Sequence, residues 1–266
     1  MAGETVTEYA AEAMSSRRWQ EAALVGVRPL IPGVHEVILN VPSWPGHIAG
    51  QHVDVRTFRA GTWSRARSFS IANAPAAGPE RATRIRLAVQ AVADGDQSYP
   101  FTDPVEDYTV QVDGPRGKRM TWRPEEAGHH PLLLIGGGTG IVPLMAIAEA
   151  WVTAEASSEL KVLYSVRSME SQLFAVELAR LSEHPRAEVA TIVTRAGPRP
   201  LRSRRDSGRL SALDLELFGW SPGVEPECYV CGPVPFVESV TRMLVQTKHS
   251  AARIRTEWLV PMEDSS

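Results

Sequence analysis

A glycine-rich run near the middle of the chain has the residue types needed to bind a phosphate group. The apolar stretch Leu132–Ile135 leads into Gly136-Gly137-Gly138-Thr139-Gly140, and Pro143 follows shortly afterwards. Proline suits the first turn of a helix, because the N–H that it lacks would have no partner there. We therefore predict a strand, a glycine turn and a helix whose first N–H groups point at an anion. The run lacks the third glycine of the usual G-x-G-x-x-G dinucleotide motif.

Three further short motifs contain groups that bind cofactors. Arg67-Ser68-Phe69-Ser70 reads as a strand in which Arg67 and Phe69 share one face, so a guanidinium can bind a pyrophosphate and a ring can lie against a planar heterocycle. Gly95-Asp96-Gln97-Ser98 combines a glycine for close backbone approach with a serine that can cap a helix. Cys231-Gly232-Pro233 ends an apolar run. Taken singly, these motifs also fit an edge strand, a hairpin turn and a strand end.

Cysteine and histidine show no metal-binding pattern. Cys228 and Cys231 are the only cysteines, fewer than a tetrahedral zinc site or a [2Fe–2S] cluster uses. The seven histidines have no spacing such as H-E-x-x-H, and we interpret them as structural or surface residues. We predict no metal site; a redox dithiol is left open as an alternative to a single cysteine of functional use.

The first half of the chain has the short strands that are typical of a small antiparallel β-barrel. Its strand-like segments are rich in Val, Ile, Leu and Phe, are bounded by proline or glycine, and in several cases alternate apolar and polar residues. We predict six strands, at Glu21–Arg28, Val34–Val41, Gln51–Thr57, Ala66–Ala72, Arg84–Val92 and Tyr108–Val112, and a short helix at Ser98–Asp103. Six such strands indicate a six-stranded barrel.

The second half alternates strands and helices, which predicts a parallel sheet covered on both faces. The predicted strands are Leu132–Ile135, Leu160–Val166, Val189–Thr194, Cys228–Cys231 and Arg253–Thr256. The predicted helices are Val142–Ala156, Ser171–Glu183, Ser211–Phe218 and Val234–His249. We place the two domains at residues 17–125 and 126–260, between a frayed tail at 1–16 and a polar end at 261–266.

Composition places the chain among globular proteins. Of its 266 residues 43% are hydrophobic and 22% charged, and the net charge of −3 gives no sign of a nucleic-acid partner. The first 16 residues lack the apolar core of a secretory signal. Residues 131–148 contain no charge, but glycines and a proline interrupt them, so we predict no transmembrane segment and a cytoplasmic protein.

The motifs in this order resemble those of the ferredoxin–NADP reductase superfamily, over roughly residues 19–258. The matching segments are Arg67–Ser70, Gly95–Ser98, Gly137–Pro143 and Cys231–Pro233. The resemblance implies that the barrel binds flavin, with FAD favoured over FMN, and that the α/β domain binds NAD(P)H. The implied activity is that of a flavin-dependent NAD(P)H oxidoreductase, which passes a hydride to the flavin and then electrons to an acceptor.

The resemblance also implies roles for single residues. It places Ser70, Cys231 and Glu257 around the point of hydride transfer. Phe69 stands where the family has tyrosine, and Trp258, where Arg or Phe is more usual, either covers the flavin or packs a domain seam. The residues expected to bind cofactor are Arg67, Ser68, Phe69, Ser70, Gly95, Gln97, Ser98, Gly137, Gly138, Thr139, Gly140, Pro143, Arg167, Thr194, Arg195, Arg204, Cys231, Gly232, Pro233 and Trp258.

The choice of nicotinamide cofactor depends on the ends of the second and third strands of the α/β domain. An acid that binds the ribose hydroxyls of NAD is missing after the second strand, where Arg167 and Ser168 stand instead. The resemblance places Thr194, Arg195 and Arg204 at a 2′-phosphate, which favours NADPH over NADH. An ordinary solvated basic loop is the alternative.

The electron acceptor is predicted to be a separate protein, because this chain has no cysteines for an iron–sulfur domain of its own. A ferredoxin, a flavodoxin-like protein or the terminal component of a multicomponent system would fit. Two alternatives remain at this point. One is a standalone NAD(P)H-dependent flavin or quinone reductase, and the other is a flavin-binding subunit with slow turnover.

Overall fold

The first part of the protein is an antiparallel sheet of seven strands. The computed structural model describes residues 18–76, 83–90, 109–126, 128–194 and 210–259. The strands are β1 (Gln20–Ile31), β2 (Val34–Asn40), β3 (His52–Arg59), β4 (Thr62–Trp63), β5 (Arg67–Ser70), β6 (Arg84–Gln90) and β7 (Thr109–Arg116). The strand missed by the sequence pattern is β4, which has two residues and pairs with the end of β3.

The sheet curves back on itself, but among the described residues no continuous ladder of backbone hydrogen bonds closes it. Its order is β4-β3-β7-β1-β2-β6, and β5 also pairs with β3. Just beyond β5, Ile71 forms an isolated bridge with Leu87 of β6. The predicted barrel architecture is therefore found in open form, with one bridge where a closed barrel would have a ladder.

Alternation along the strands builds the core of this sheet. In β6, Ile85, Leu87 and Val89 are fully buried, while Arg86 and Ala88 between them lie on the opposite face and are only partly buried. The fully buried side chains pack against buried residues of β2, such as Val37 and Leu39. A strand with one buried and one solvated face explains the two-residue period that predicted it.

The second part of the protein is a five-stranded parallel sheet with helices on both faces. Its strands are β8 (Leu132–Gly137), β9 (Leu160–Val166), β10 (Ala187–Val193), β11 (Glu227–Pro233) and β12 (Ile254–Leu259), in the order β10-β9-β8-β11-β12. The helices are α1 (Ile141–Thr153), α2 (Ala175–Ser182), α3 (Ala212–Phe218) and α4 (Val234–Gln246). Helices α1 and α2 cover one face, and α3 and α4 the other. Strand β8 is buried along its whole length, since it lies in the middle of the sheet. Among the described residues, no helix combines the length and the apolar character needed to cross a membrane.

An apolar seam joins the two sheets. Met120 and Trp122, which follow β7, and Ala49 and Ala72 belong to the same buried cluster as the residues of α1 and β8. The backbone N–H of Trp122 also donates to the carbonyl of Ala49. This shared core holds the first sheet against the α1 and α2 face of the second.

A network of charges crosses the same seam, and we call it the seam clamp. Glu36 of β2, with only 1% of its side chain exposed, accepts a hydrogen bond from Arg28. Arg86 lies 3.7 Å from Glu36 and donates to Glu149 of α1 at 3.0 Å, and Arg28 lies 3.6 Å from Glu177 of α2. The clamp borders a cavity of about 550 Å³ beside the second half of α1, away from the glycine turn. The buried carboxylate of Glu36 thus connects the first sheet to two helices of the second domain.

Candidate functional site

The glycine turn lies at the carboxyl edge of the parallel sheet. Residues Gly138–Gly140 form a 3₁₀ turn between β8 and α1. Gly138 has φ +56 and is exposed, and a Cβ built on it would have nothing within 4 Å. A Cβ on Gly140 would lie 2.3 Å from the carbonyl oxygen of Cys231, so the turn packs directly on the end of β11. The strand order reverses between β8 and β11, which is where ligands bind in open α/β sheets.

The start of α1 leaves room for an anion. Of the side chains that the structure describes, none caps this helix or the 3₁₀ turn before it. Thr139 is half-buried in the turn, and Pro143 is buried in the first turn of the helix. The open side of Gly138 therefore leaves space at the carboxyl end of β8, where the sequence predicts a phosphate, although the N–H of Ile141 already donates to the carbonyls of Gly138 and Thr139.

The two cysteines lie on opposite faces of β11. Cys228 packs in the core under α3 and α4, whereas Cys231 packs in the core under α1. Both thiols are free and buried. Burial raises the pKa of the Cys228 thiol to about 12 and raises that of Cys231 as well. The alternative of a redox dithiol is therefore wrong, because residues three apart on a strand point in opposite directions.

Ser70, Cys231 and Glu257 come from three strands of two sheets and meet at the seam. Cys231 and Glu257 are register partners on β11 and β12. Oε1 of Glu257 lies 3.7 Å from Nδ1 of His52, the first residue of β3. His52 in turn is the register partner of Ser70 on β5. The structure thus brings the three residues expected at the transfer point together, with His52 between Ser70 and Glu257.

Burial determines the protonation states of Glu257 and His52. It raises the pKa of the Glu257 carboxyl to about 7, and it lowers the pKa of His52. At neutral pH the imidazole is accordingly uncharged, while the carboxyl is close to its midpoint. Such a carboxyl can gain or lose a proton under working conditions.

His52 was missed by sequence reasoning, which interpreted it as structural or surface. Its side chain is 27% exposed and lies against Gly117, where a built Cβ would be 3.1 Å from its Nδ1. The available signal was its place at the start of a strand that pairs with the strand ending in Ser70. Without knowing which residues pair between the two strands, one cannot conclude from the sequence that His52 lies beside Ser70.

Successive side chains of the Arg67–Ser70 strand point to opposite faces of the first sheet. Arg67 and Phe69 pair with Val55 and Val53, whose side chains lie in the core of the first sheet, and the ring of Phe69 packs partly against that core. The hydroxyl of Ser68 donates to the buried carboxylate of Asp54. Ser68 is therefore engaged in the fold, and Ser70 is the serine of the motif that pairs with His52.

Arg167 and Thr194 are neighbours at the ends of β9 and β10. The backbone N–H of Thr194 donates to the carbonyl of Val166 at 2.8 Å, which places it beside exposed Arg167. The structure brings these two expected residues together at the sheet edge. The other expected residues Gly95, Gln97, Ser98, Arg195 and Arg204, and the short helix predicted at Ser98–Asp103, lie outside the described residues.

The side chain of Trp258 does not point to the same side of β12 as that of Glu257. It is 48% exposed and lines a groove against α4, together with Val245 and Thr256. Glu257, one residue earlier, faces the first sheet. Strand alternation turns its ring to the α4 side, away from the seam, so the structure places Trp258 in neither of the two positions that the sequence offered, over the flavin or in the domain seam.

Among the parts of the chain that are described, no group of three His, Cys, Asp or Glu side chains lies close enough to hold a metal ion. Around the expected transfer point, Ser70, His52 and Glu257 supply a hydroxyl, an imidazole and a carboxyl. This donor set fits the edge of an organic cofactor rather than a metal.

Comparison with known proteins gives consistent relatives. The family model described as "Oxidoreductase NAD-binding domain" matches residues 134–242. A ferredoxin–NADP reductase of Sorangium cellulosum is 32% identical over 220 residues, covering 80% of this chain and 85% of that protein. The reductase subunit of an aromatic O-demethylase of Amycolatopsis sp. is 25% identical over 250 residues, covering 90% of this chain and 69% of that protein.

Other relatives are longer. The chain spans 53% of the flavohemoprotein of Rhodopirellula baltica and 32% of flavohemoprotein A of Dictyostelium discoideum, so it corresponds to about half of these proteins or less.

Solved structures share the fold. A cytochrome P450 reductase of Amycolatopsis has a TM-score of 0.74 at 24% identity, covering 93% of this chain and 71% of that one. A ferredoxin NADP⁺ reductase of Neisseria gonorrhoeae, solved with bound FAD and NADP, has a TM-score of 0.69 at 20% identity, covering 91% of this chain and 98% of that one. From its two-domain fold and its identity to the Sorangium enzyme, the chain belongs to the ferredoxin–NADP reductase family, whose members are FAD-dependent NAD(P)H oxidoreductases.

Proposed function

We propose that this protein transfers a hydride from NAD(P)H to FAD and passes the electrons to a separate acceptor protein. The observation that carries the proposal is the meeting of Ser70, Cys231 and Glu257 at the seam, beside the open glycine turn. The turn offers a place for the dinucleotide phosphates, and the seam offers a place for the reacting rings. Each cofactor would then be held by one domain, with the reaction between them.

When bound, FAD supplies the chemistry of accepting a hydride and releasing electrons one at a time. The residues of this chain supply orientation and proton control. The Ser70 hydroxyl can donate a hydrogen bond at the seam, and the Glu257 carboxyl, with a pKa of about 7, can hold or release a proton. Cys231 is buried with a raised pKa, so it packs against its neighbours as a thiol and is no nucleophile.

The apolar seam gives the site its exclusion of water. Met120, Trp122 and residues of α1 form a buried apolar cluster beneath the site. A dry floor strengthens the hydrogen bonds made by Ser70 and Glu257 and limits side reactions with solvent. The seam clamp would keep the two domains at a fixed spacing, as transfer between two bound rings requires.

We further propose that NADPH is preferred to NADH. Arg167 and Thr194 lie together at the edge where the adenosine ribose of a dinucleotide lies in such sheets, and an arginine there can bind a phosphate by two hydrogen bonds. Arg195 and Arg204, the other two expected partners, follow in the chain. The described part of this edge has a basic residue where an NAD site often has an acid.

The acceptor is proposed to be a ferredoxin-like protein or the terminal component of a multicomponent system. The relatives named as a ferredoxin–NADP reductase and as a reductase subunit support a separate partner. A standalone flavin or quinone reductase is the competing proposal. The two differ in whether a small acceptor alone sustains fast turnover.

The experiment is an anaerobic titration of the FAD-loaded protein with NADPH and, separately, with NADH. We expect the flavin absorbance to bleach near one equivalent of NADPH and to require much more NADH. Arg167→Gln should remove most of this preference, whereas Arg180→Gln, which changes an exposed arginine on α2, should retain it. A protein that binds FAD but is reduced by neither nucleotide would contradict the proposal and favour the slow-turnover subunit.

Turnover then identifies the acceptor class. With NADPH as donor, we expect slow reduction of free FMN or menadione and fast reduction of cytochrome c once a [2Fe–2S] ferredoxin is added. Fast reduction of the small acceptors without any added protein would instead support the standalone reductase.

A further inference from the structure

A half-buried phenylalanine lies directly on two glycines at the ends of β8 and β11, beside the proposed nucleotide site. Phe236 is in the first turn of α4. A Cβ built on Gly137 would lie 2.8 Å from Cδ1 and 2.9 Å from Cγ of its ring. A Cβ built on Gly232 would also lie 2.8 Å from Cδ1. The ring therefore occupies the space that side chains at these two positions would need.

The backbone of Gly137 does not itself require glycine. Its φ of −115 and ψ of 117 are those of an ordinary strand residue. Gly138 differs, because its φ of +56 favours glycine while the space around it is open. The two neighbouring positions thus require glycine for different reasons. Gly138 adopts the positive φ of the turn, and Gly137 leaves space for the ring of Phe236.

The ring connects the ends of β8 and β11 to the core. The carbonyl oxygen of Gly137 would lie 3.1 Å from a Cβ on Gly232, so the two strand ends approach closely beneath the ring. On its other side Phe236 packs against the cluster that includes Val237 and Val240 of α4. The ring consequently packs across the ends of β8 and β11, one residue beyond the last ladder pair Gly136 and Cys231, at the edge where the strand order reverses.

We propose that Phe236 is a positioning residue for NAD(P)H, which holds the strand ends at Gly137 and Gly232 in the arrangement that the dinucleotide needs. The proposal rests on the proposed function of the site. Without the ring, each strand end loses its packing on one side and gains backbone freedom. Ordering the freed residues again on binding opposes association, and we expect about tenfold weaker affinity.

The test measures nucleotide binding directly and separately from turnover. In the FAD-loaded protein, isothermal titration with NADP⁺ should show about tenfold weaker binding for Phe236→Ala. KM for NADPH should rise by a similar factor, with a smaller change in kcat. Phe236→Tyr, which keeps the ring, should restore binding. Val237→Ala, which removes packing from the next residue of the same core, should lower the thermal midpoint and leave the dissociation constant for NADP⁺ within about twofold of the wild type.

A double-mutant cycle examines the contact itself. Gly137→Ala alone should weaken binding, because its methyl group displaces the ring. In the Phe236→Ala background the same methyl group has space, so the two losses should not add. Equal NADP⁺ affinity in the wild type and Phe236→Ala, or equal effects of Phe236→Ala and Val237→Ala on affinity, would overturn the positioning role. Failure of the wild type itself to bind NADP⁺ would instead contradict the proposed function.

Discussion

Replacing Glu257 with glutamine should make the protein more stable at alkaline pH and change little at acidic pH. Burial raises the pKa of this carboxyl from its ordinary value of 4.5 to about 7. The unfolded chain has the ordinary value, so between these two pH values the folded state binds the extra proton and stability falls as pH rises. At about 1.4 kcal/mol per pKa unit, the loss at pH 8 is about 3 kcal/mol. Glutamine has no charge to bury and avoids this loss.

The assay is urea unfolding of the protein without added flavin or nucleotide, followed by tryptophan fluorescence from pH 5 to pH 8. We expect the free energy of unfolding of Glu257→Gln to exceed that of the wild type by less than about 1 kcal/mol at pH 5 and by about 3 kcal/mol at pH 8. Glu238→Gln makes the same substitution at an exposed position of α4 and should show no such trend. Repeating the pair in a His52→Gln background removes the titration of the neighbouring imidazole from the comparison.

Two results would refute the reasoning. A difference that stays constant from pH 5 to pH 8 would mean that the carboxyl is as well solvated in the folded state as in the unfolded chain. A difference of the opposite sign would mean that an ion pair with protonated His52 outweighs burial. Either result would remove the physical basis for proton control by Glu257.

Three further changes test the fold around the site. Gly50→Ala should destabilise the protein by about 3 kcal/mol in urea, since a Cβ there, at φ +92, would lie 1.8 Å from the carbonyl oxygen of Met120; a loss under 1 kcal/mol would contradict this packing. Glu36→Gln should lower stability by about 2 kcal/mol, because it leaves the guanidinium groups of the seam clamp without their buried carboxylate; an unchanged urea midpoint would show that the clamp contributes nothing. Cys228 and Cys231 should both resist dithionitrobenzoate at pH 8 in the folded protein and react in urea, whereas fast reaction of the native protein would contradict their burial.

The sequence predicts the glycine turn, the division into two sheets and the parallel order of strands and helices, because these features depend on local signals. The Gly136–Gly140 run, the proline after it and the apolar strand before it are contiguous in the chain, and they form one contiguous piece of structure. The two-residue period of β6 likewise depends only on one buried face. The sequence pattern and the structure agree for features that depend on the residues of a single strand, helix or turn.

The remaining features depend on contacts between elements. The approach of His52 to Glu257 requires two sheets to pack, and no spacing in the sequence encodes it. The ring of Phe236 explains Gly137 only once α4 lies on the sheet. The direction of Trp258 follows from which face of β12 meets α4, which a pattern of neighbouring residues does not specify. The directions of these side chains and the contacts between the two domains are therefore determined by tertiary packing, which the local sequence does not specify.

The approach of His52 on β3 to Glu257 on β12 has a consequence for biosynthesis. His52 leaves the ribosome long before Glu257, which is on the final described strand. The first sheet can therefore form while the second is still being translated. The protonation site between them is completed only when β12 inserts as the edge strand of the parallel sheet. A nascent chain can therefore fold its first sheet before it contains Glu257, so a chain released early has His52 without the neighbouring carboxyl.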